Sequence, residues 1–153
     1  MKYIVFIVVL LSVISCRSPF IDSSKYAVIE FDKKRDSARF DKNVEPASLS
    51  NGDISKIEEL ISEKVNEYNK DQEKYKDDYP YDNLIHNPKN YYKQLIPVAN
   101  SKGEKIVWVN CLCTSGKSNK DIILIADGGS CFFQLTINLT KHIVSNFAVN
   151  AAE

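Results

Sequence analysis

The chain has 153 residues, 44% hydrophobic and 26% charged, with twenty basic and twenty acidic side chains in formal balance. That length suits one domain with a modest core. The charge balance argues against a nucleic-acid partner, which would call for a basic face.

Residues 1–15 read as a signal peptide: Lys2 is the single early charge, and Tyr3 to Ile14 carry none. The run is roughly a dozen residues against the ~20 that a bilayer-crossing helix needs, and polar sequence follows it. Val13-Ile14-Ser15-Cys16 resembles the bacterial lipobox, a branched apolar residue three before a cysteine and a small one directly before it. The resemblance implies cleavage behind Ser15, a diacylglycerol thioether on Cys16 and acylation of its amine. Two or three chains anchor stably where one is marginal, at ~0.8 kcal/mol per buried methylene. Removing residues 1–15 takes away one lysine and leaves nineteen basic and twenty acidic side chains, a formal charge of −1. Arg17 stands where an aspartate favours inner-membrane retention in enteric lipoproteins, which points to the outer membrane, on its periplasmic or surface face.

Residues 16–24 then form the lipidated N-terminus and a tether carrying Pro19, and residues 25–153 form a single domain. Lys25 to Phe31 is a β-rich run that could be a first strand, and Asp32 to Ser48 is charged and mostly loop. Ile54, Ile57, Leu60, Ile61, Val65 and Tyr68 recur at spacings of three and four, which predicts an amphipathic helix with Ser50 and Asp53 as capping residues. Its other face, Lys56, Glu59, Glu63, Lys64 and Glu67, reads as solvated surface. Residues 69–90 lack a sustained period, and loops of that length are either functional or disordered.

From Tyr91 short apolar segments alternate with turn signals: 91–99, 105–113, 121–126, 131–138 and 142–150. Five strands so joined suggest an antiparallel meander. A two-residue turn at Gly128-Gly129 and a three-residue connection at Leu139 to Lys141 set Leu124 opposite Phe133 and Ile137 opposite Ile143. Alternation then places Ile122, Leu124, Cys131, Phe133, Leu135, Ile137, Ile143, Phe147 and Val149 on one face, against the helix. The expected fold is α+β, a curved antiparallel sheet with a possible extra N-terminal strand packed on one amphipathic helix, cystatin-like or NTF2-like in outline.

Cys111 and Cys113 form a C-x-C pair that suggests an envelope thiol-disulfide oxidoreductase, with Cys131 as a third thiol. On an extended strand, residues i and i+2 lie ~6.5 Å apart with parallel Cβ vectors, which disfavours a bridge between them. With the 121–126 strand between the other two, Cys111 and Cys113 lie about 9.5 Å from the Cys131 strand, so a bridge to Cys131 requires a different strand order. Small buried thiols in the core are the expectation. Neither His86 nor His142 stands close to a cysteine pair, and nothing in the spacing calls for a metal or cofactor. Asp127-Gly-Gly-Ser130 lacks the elbow of a nucleophile motif and reads as a turn. Asn138-Leu-Thr140 matches a glycosylation acceptor, which reads as accidental behind a bacterial leader.

The sheet's second face carries, by alternation, Trp108, Asn110, Phe132, Gln134, Thr136, Asn138, Asn146 and Asn150. Rings among amides can hold a sugar, a peptide or a partner surface by stacking and hydrogen bonding. Trp108, Asn110, Phe132, Gln134 and Asn146 are the candidate binding face. The bland alternative is that the first strand, the 69–90 excursion or a neighbouring loop covers the rings as a second small core.

GEKIVWVNCLC (103–113) and DGGSCFFQLTINLTKHIVSNFAVN (127–150) resemble segments of small uncharacterised lipoproteins of Bacteroidetes, which close on Val-Asn-Gly-Glu where this chain has Val149-Asn150-Ala151-Ala152-Glu153. The resemblance covers about the last 60 residues and implies no activity. The expectation is a lipid-anchored envelope protein, a non-catalytic binding or interaction domain for an unknown protein, peptide or glycan, with the membrane as its other partner.

Overall fold

The structure, a computed structural model, describes residues 24–75, 83–113, 118 and 120–151. The leader, the lipobox with Cys16 and most of the tether lie outside the described residues, as do parts of the 69–90 excursion and of the 114–119 turn. Among the described residues no helix is long and apolar enough to cross a membrane.

The fold is α+β, an open mixed sheet packed on one main helix. In chain order it runs β1 (Tyr26–Val28), the short helix α1 (Lys33–Asp36), β2 (Val44–Pro46), the long helix α2 (Asn51–Gln72), β3 (Tyr92–Asn100), β4 (Lys105–Leu112), β5 (Phe132–Asn138) and β6 (Ile143–Val149). β3 to β6 follow one another antiparallel, and the free edge of β3 takes β1 in parallel along one half and β2 antiparallel along the other.

α2 begins at a complete capping box: Ser50 Oγ accepts from the Asp53 N–H at 3.1 Å, and Asp53 Oδ2 accepts from the Ser50 N–H at 2.8 Å. The box satisfies N–H groups that the first turn leaves without partners. Its expected stripe, Ile57, Leu60, Ile61 and Val65, is buried against Leu95, Val107, Val109, Phe133, Leu135 and Ile137 of the sheet. Each such aliphatic side chain contributes roughly 1.5–3 kcal/mol on burial.

One ion pair is sealed between these layers. Lys93 is fully buried, and its ammonium donates to Glu58 Oε1 at 2.9 Å and to the carbonyls of Pro88 at 2.9 Å and Tyr91 at 3.0 Å. All three ammonium protons therefore have acceptors. Tyr26 donates to the same Glu58 oxygen at 2.6 Å, which ties β1 to α2, while Glu58 Oε2 is buried with no partner among the described residues.

The sheet departs from the expected meander first in the pairing of β4. Residues 122–125 form no strand, and β4 pairs directly with β5, from Ile106 opposite Asn138 to Leu112 opposite Phe132. The Cys113 N–H donates to the Cys131 carbonyl at 2.9 Å, which continues that ladder. The two cysteines, 4.9 Å apart at Cα, form a disulfide, and Cys111 is the free, buried thiol. This is the different strand order that a bridge to Cys131 required, and it corrects the expectation of three core thiols. Ile122 and Leu124 consequently leave the helix face: Ile122 packs on the opposite one, and Leu124 is exposed.

β6 also differs in phase. Four residues, Leu139 to His142, connect it to β5, so Asn138 faces Ile143. Between Gln134 and Thr136 the register slips, with Asn146 and Phe147 together opposite Leu135. Asn146 takes a left-handed φ of 51°, the mark of a bulge residue. The extra residue inverts the alternation, so Phe147 and Val149 pack toward the helix as expected while Ile143 points outward.

Replacing Cys113 or Cys131 by serine is expected to lower stability in urea unfolding by about 3 kcal/mol, because the bridge restricts the unfolded chain around a loop of this length. The double replacement should cost no more than either single one. Lys93→Met is expected to cost about 3–5 kcal/mol by stranding Glu58, and adding Glu58→Leu should recover most of that loss in the same assay.

Candidate functional site

The second sheet face is built in rows. The register sets Trp108, Thr136 and Ser145 side by side, and Asn110, Gln134 and Ala148 in the next row. The rings expected on this face are therefore on it. Trp108, at 6% exposure, forms a second core with Ala27, Ile29, Tyr92, Ile96 and Leu112, against which Phe31, Phe40, Ile122, Ile123 and Phe132 pack.

Two segments cover that core. The first is α1 with the turn after it, a stretch whose charges read from sequence as loop. Asp32 caps α1 by accepting from the Arg35 N–H at 2.7 Å. Asp36 is fully buried, and Arg35 holds it through Nε at 2.9 Å and Nη2 at 2.6 Å, with Arg39 Nη1 at 3.2 Å. Burial alone would raise the Asp36 pKa, but the Arg35 hydrogen bonds, the Asp32 N–H and the two guanidinium charges together hold it below its usual 3.8. Arg39, thus anchored, lies 4.6 Å from the Trp108 ring centre as a cation over an indole.

The second cover is the segment 120–127 inside the disulfide loop. The sheet's amides hold its backbone. Gln94 Nε2 donates to the Ser118 and Asp121 carbonyls, and its Oε1 accepts from the Ile123 N–H at 2.9 Å. Asn110 donates to the Ile123 carbonyl at 2.7 Å and to Gln94 Oε1, and Asn150 donates to the carbonyls of Ile125 and Asp127. Side-chain amides here do what a strand ladder would otherwise do for buried main-chain groups. Of the candidate face, Trp108 and Asn110 are thus consumed by the fold, and Phe132 is half-buried in the second core.

The face stays open toward the β5–β6 end, where a groove of about 300 Å³ is lined by Arg39, Phe40, Thr136, Ile143, Ser145 and Asn146 among others. Its polar side chains differ from those under the cover. The Thr136 and Ser145 hydroxyls, the Asn146 amide, and Nε and Nη2 of Arg39 make no hydrogen bond among the described residues. Asn138, at the end of the groove, is by contrast spent on Glu104 and the Lys141 N–H. Hydrogen bonds from Lys141 and Asn100, with Asn138 adding to them, bring the Glu104 carboxyl down to about 2. The Gln134 amide, further along the face, also makes no hydrogen bond among the described residues. Sequence reasoning found Asn146 and Thr136 by alternation but missed Arg39 and Ser145. The offsets of three and four among Asp32, Arg35, Asp36 and Arg39 are the available signal for the first; Ser145 depends on the bulge and has none.

The thiols form no C-x-C centre. Cys113 is bonded to Cys131, while burial pushes the Cys111 thiol up, with the Lys93 ammonium opposing. That direction is opposite to the one a nucleophilic thiolate requires. Among the described residues no group of three or more His, Cys, Asp and Glu is placed to hold a metal ion. A second cavity, about 600 Å³, lies between α2 and residues 85–90, where Asn69 is spent on both backbone groups of Ile85.

Compared with known protein families, curated proteins and solved structures, the chain gives no match.

Because the Asp36 pKa is depressed in the fold, its contribution to stability is complete above the ordinary carboxylate value of 3.8 and is lost as pH falls through the lowered one. Urea midpoints should therefore fall on acidification below about pH 4, Asp53 and Glu104 adding with the same sign. Asp36→Asn is expected to cost about 1–3 kcal/mol at neutral pH and to reduce the acid-side loss.

Proposed function

We propose that the chain is a lipid-anchored protein of the bacterial cell envelope, held in the outer membrane through Cys16, whose domain binds a ligand without catalysing a reaction. The observation that carries the reading is the Cys113–Cys131 disulfide in a chain whose leader ends in Val-Ile-Ser-Cys. Such bonds form and persist in oxidising compartments and are rare in the cytosol, so the bridge supports export independently of the leader. The unspent polar groups of the groove support binding, since hydrogen-bonding capacity that the fold does not use is what a polar ligand requires. A binding domain also suits the rigid frame around them: the bulge and the Asp36 clamp fix Asn146 and Arg39 before any ligand arrives.

The full chain expressed in a diderm bacterium is expected to sediment with membranes, to resist high salt and to be released by detergent. Cys16→Ser should move most of it to the soluble fraction, with the disulfide still formed by thiol trapping. Equal membrane association of the serine variant would remove the anchor from the proposal, and a reduced Cys113–Cys131 pair in the native envelope would remove the export argument.

A further inference from the structure

We infer that the groove at the β5–β6 end of the second sheet face is a binding site for an acidic sugar, with Arg39 holding the carboxylate and Thr136, Ser145 and Asn146 reading the ring's hydroxyls. The inference rests on the proposal of a binding domain and names its ligand class.

The division of polar groups carries it. Across one face, Gln94, Asn110, Asn138 and Asn150 spend their amides on neighbouring backbone and side chains. Among the described residues the unspent groups of Thr136, Ser145, Asn146 and Arg39 meet at one groove, beside the apolar surfaces of Phe40 and Ile143, and Gln134 lies further along the face. Hydroxyl, amide and guanidinium donors next to a short apolar wall suit a polyhydroxylated ring, which offers hydroxyls at its rim and C–H groups on its face.

Arg39 adds the charge. Its Nη1 is committed to the Arg35 carbonyl at 3.1 Å and to Asp36 at 3.2 Å, and the Trp108 ring supports the guanidinium plane. Nε and Nη2 remain, the two donors of one edge, in the geometry that takes a carboxylate bidentately. Asp36, Asp32 and Asp121 all act on Arg35, so the charge offered to the groove is that of the Arg39 guanidinium, while Lys141 is neutralised by Glu104 at 2.7 Å. Asp41, also on the groove wall, is exposed, so water and salt screen it more than the 18%-exposed Arg39 side chain. It supplies an acceptor for sugar hydroxyls and disfavours polyanions. The volume of about 300 Å³ is at the small end of ligand sites and fits a short glycan segment.

An extended peptide fits less well. Strand addition at the outer edge of β6 needs a regular ladder, and the bulge at Asn146 interrupts it.

The chain's single tryptophan, Trp108, lies beneath Arg39 and reports on the site. The detergent-solubilised full chain is titrated with cellobiouronic acid and with cellobiose, which differ by one carboxylate, and Trp108 fluorescence is followed. Saturable binding of the acid at least about tenfold tighter than cellobiose is expected, weakening with salt. Arg39→Gln should bring the acid down to the level of cellobiose. Asn146→Gly suits the left-handed backbone, so its melting temperature should hold while both sugars bind several-fold more weakly. If Arg39→Gln does not fold, Asn146→Gly and Ser145→Ala carry the test. No Trp108 response to either sugar at millimolar concentration, equal affinity for the two, or unchanged binding in Asn146→Gly would overturn the inference. Tighter binding of acetyl-trialanine than of the sugar acid would overturn it in favour of a peptide. Membrane release of Cys16→Ser is scored separately, so loss of the sugar leaves the anchor standing and loss of the anchor leaves the sugar.

Discussion

The direct pairing of β4 with β5 is the constraint on which the rest of the structure depends. Once Ile106–Leu112 lies against Phe132–Asn138, the described residues 120–130 between Cys113 and Cys131 have no place in the sheet. Ile122 and Ile123 then pack on the sheet face that α2 does not occupy, while Leu124 stays exposed. The disulfide closes the ladder at the point where the chain leaves it, so a long connection behaves as a short one in its entropic cost. Ile122 and Ile123 become a cover for Trp108 instead of strand residues.

That arrangement assigns work to the polar side chains. A segment lying across a sheet face has main-chain groups that no ladder can satisfy, and leaving them unpaired in a buried position costs roughly 1–3 kcal/mol each. Gln94, Asn110 and Asn150 meet that need, which is why amides stand among apolar residues on strands that could otherwise be uniformly apolar. The N-terminal arm uses a different device for the same face. Asp36, buried and ionised, is tolerable only because two guanidiniums and a backbone N–H surround it, and the same contacts bring Arg39 onto the indole.

Between the two covers and β6 the face stays open, and there Thr136, Ser145 and Asn146 make no hydrogen bond among the described residues. The β6 bulge contributes to this opening: it turns Ser145 and Asn146 outward together while returning Phe147 to the core beside Tyr68 and Phe133. One inserted residue thus serves the packing of the helix side and sets which side chains the other face presents.

Much of this was legible in the chain itself. The three-and-four spacing of Ile57, Leu60, Ile61 and Val65 marked α2 and its buried stripe, and Ser50 with Asp53 marked its start, because both signals lie within a few residues of sequence. Period-two alternation likewise assigned Phe133, Leu135 and Ile137 to the helix side and Trp108, Asn110 and Thr136 to the other. Tertiary structure alone decided which strand neighbours which. Asp121 to Ala126 has the composition of a strand, and only the competition between Phe132–Asn138 and that segment for the edge of β4 excludes it from the sheet. The disulfide and the cover by Ile122 and Ile123 over Trp108 follow from that competition, and the grouping of Arg39 with Ser145 and Asn146 follows from the Asp36 clamp and the β6 bulge; each joins residues far apart in sequence through hydrogen bonds and packing that no local pattern encodes.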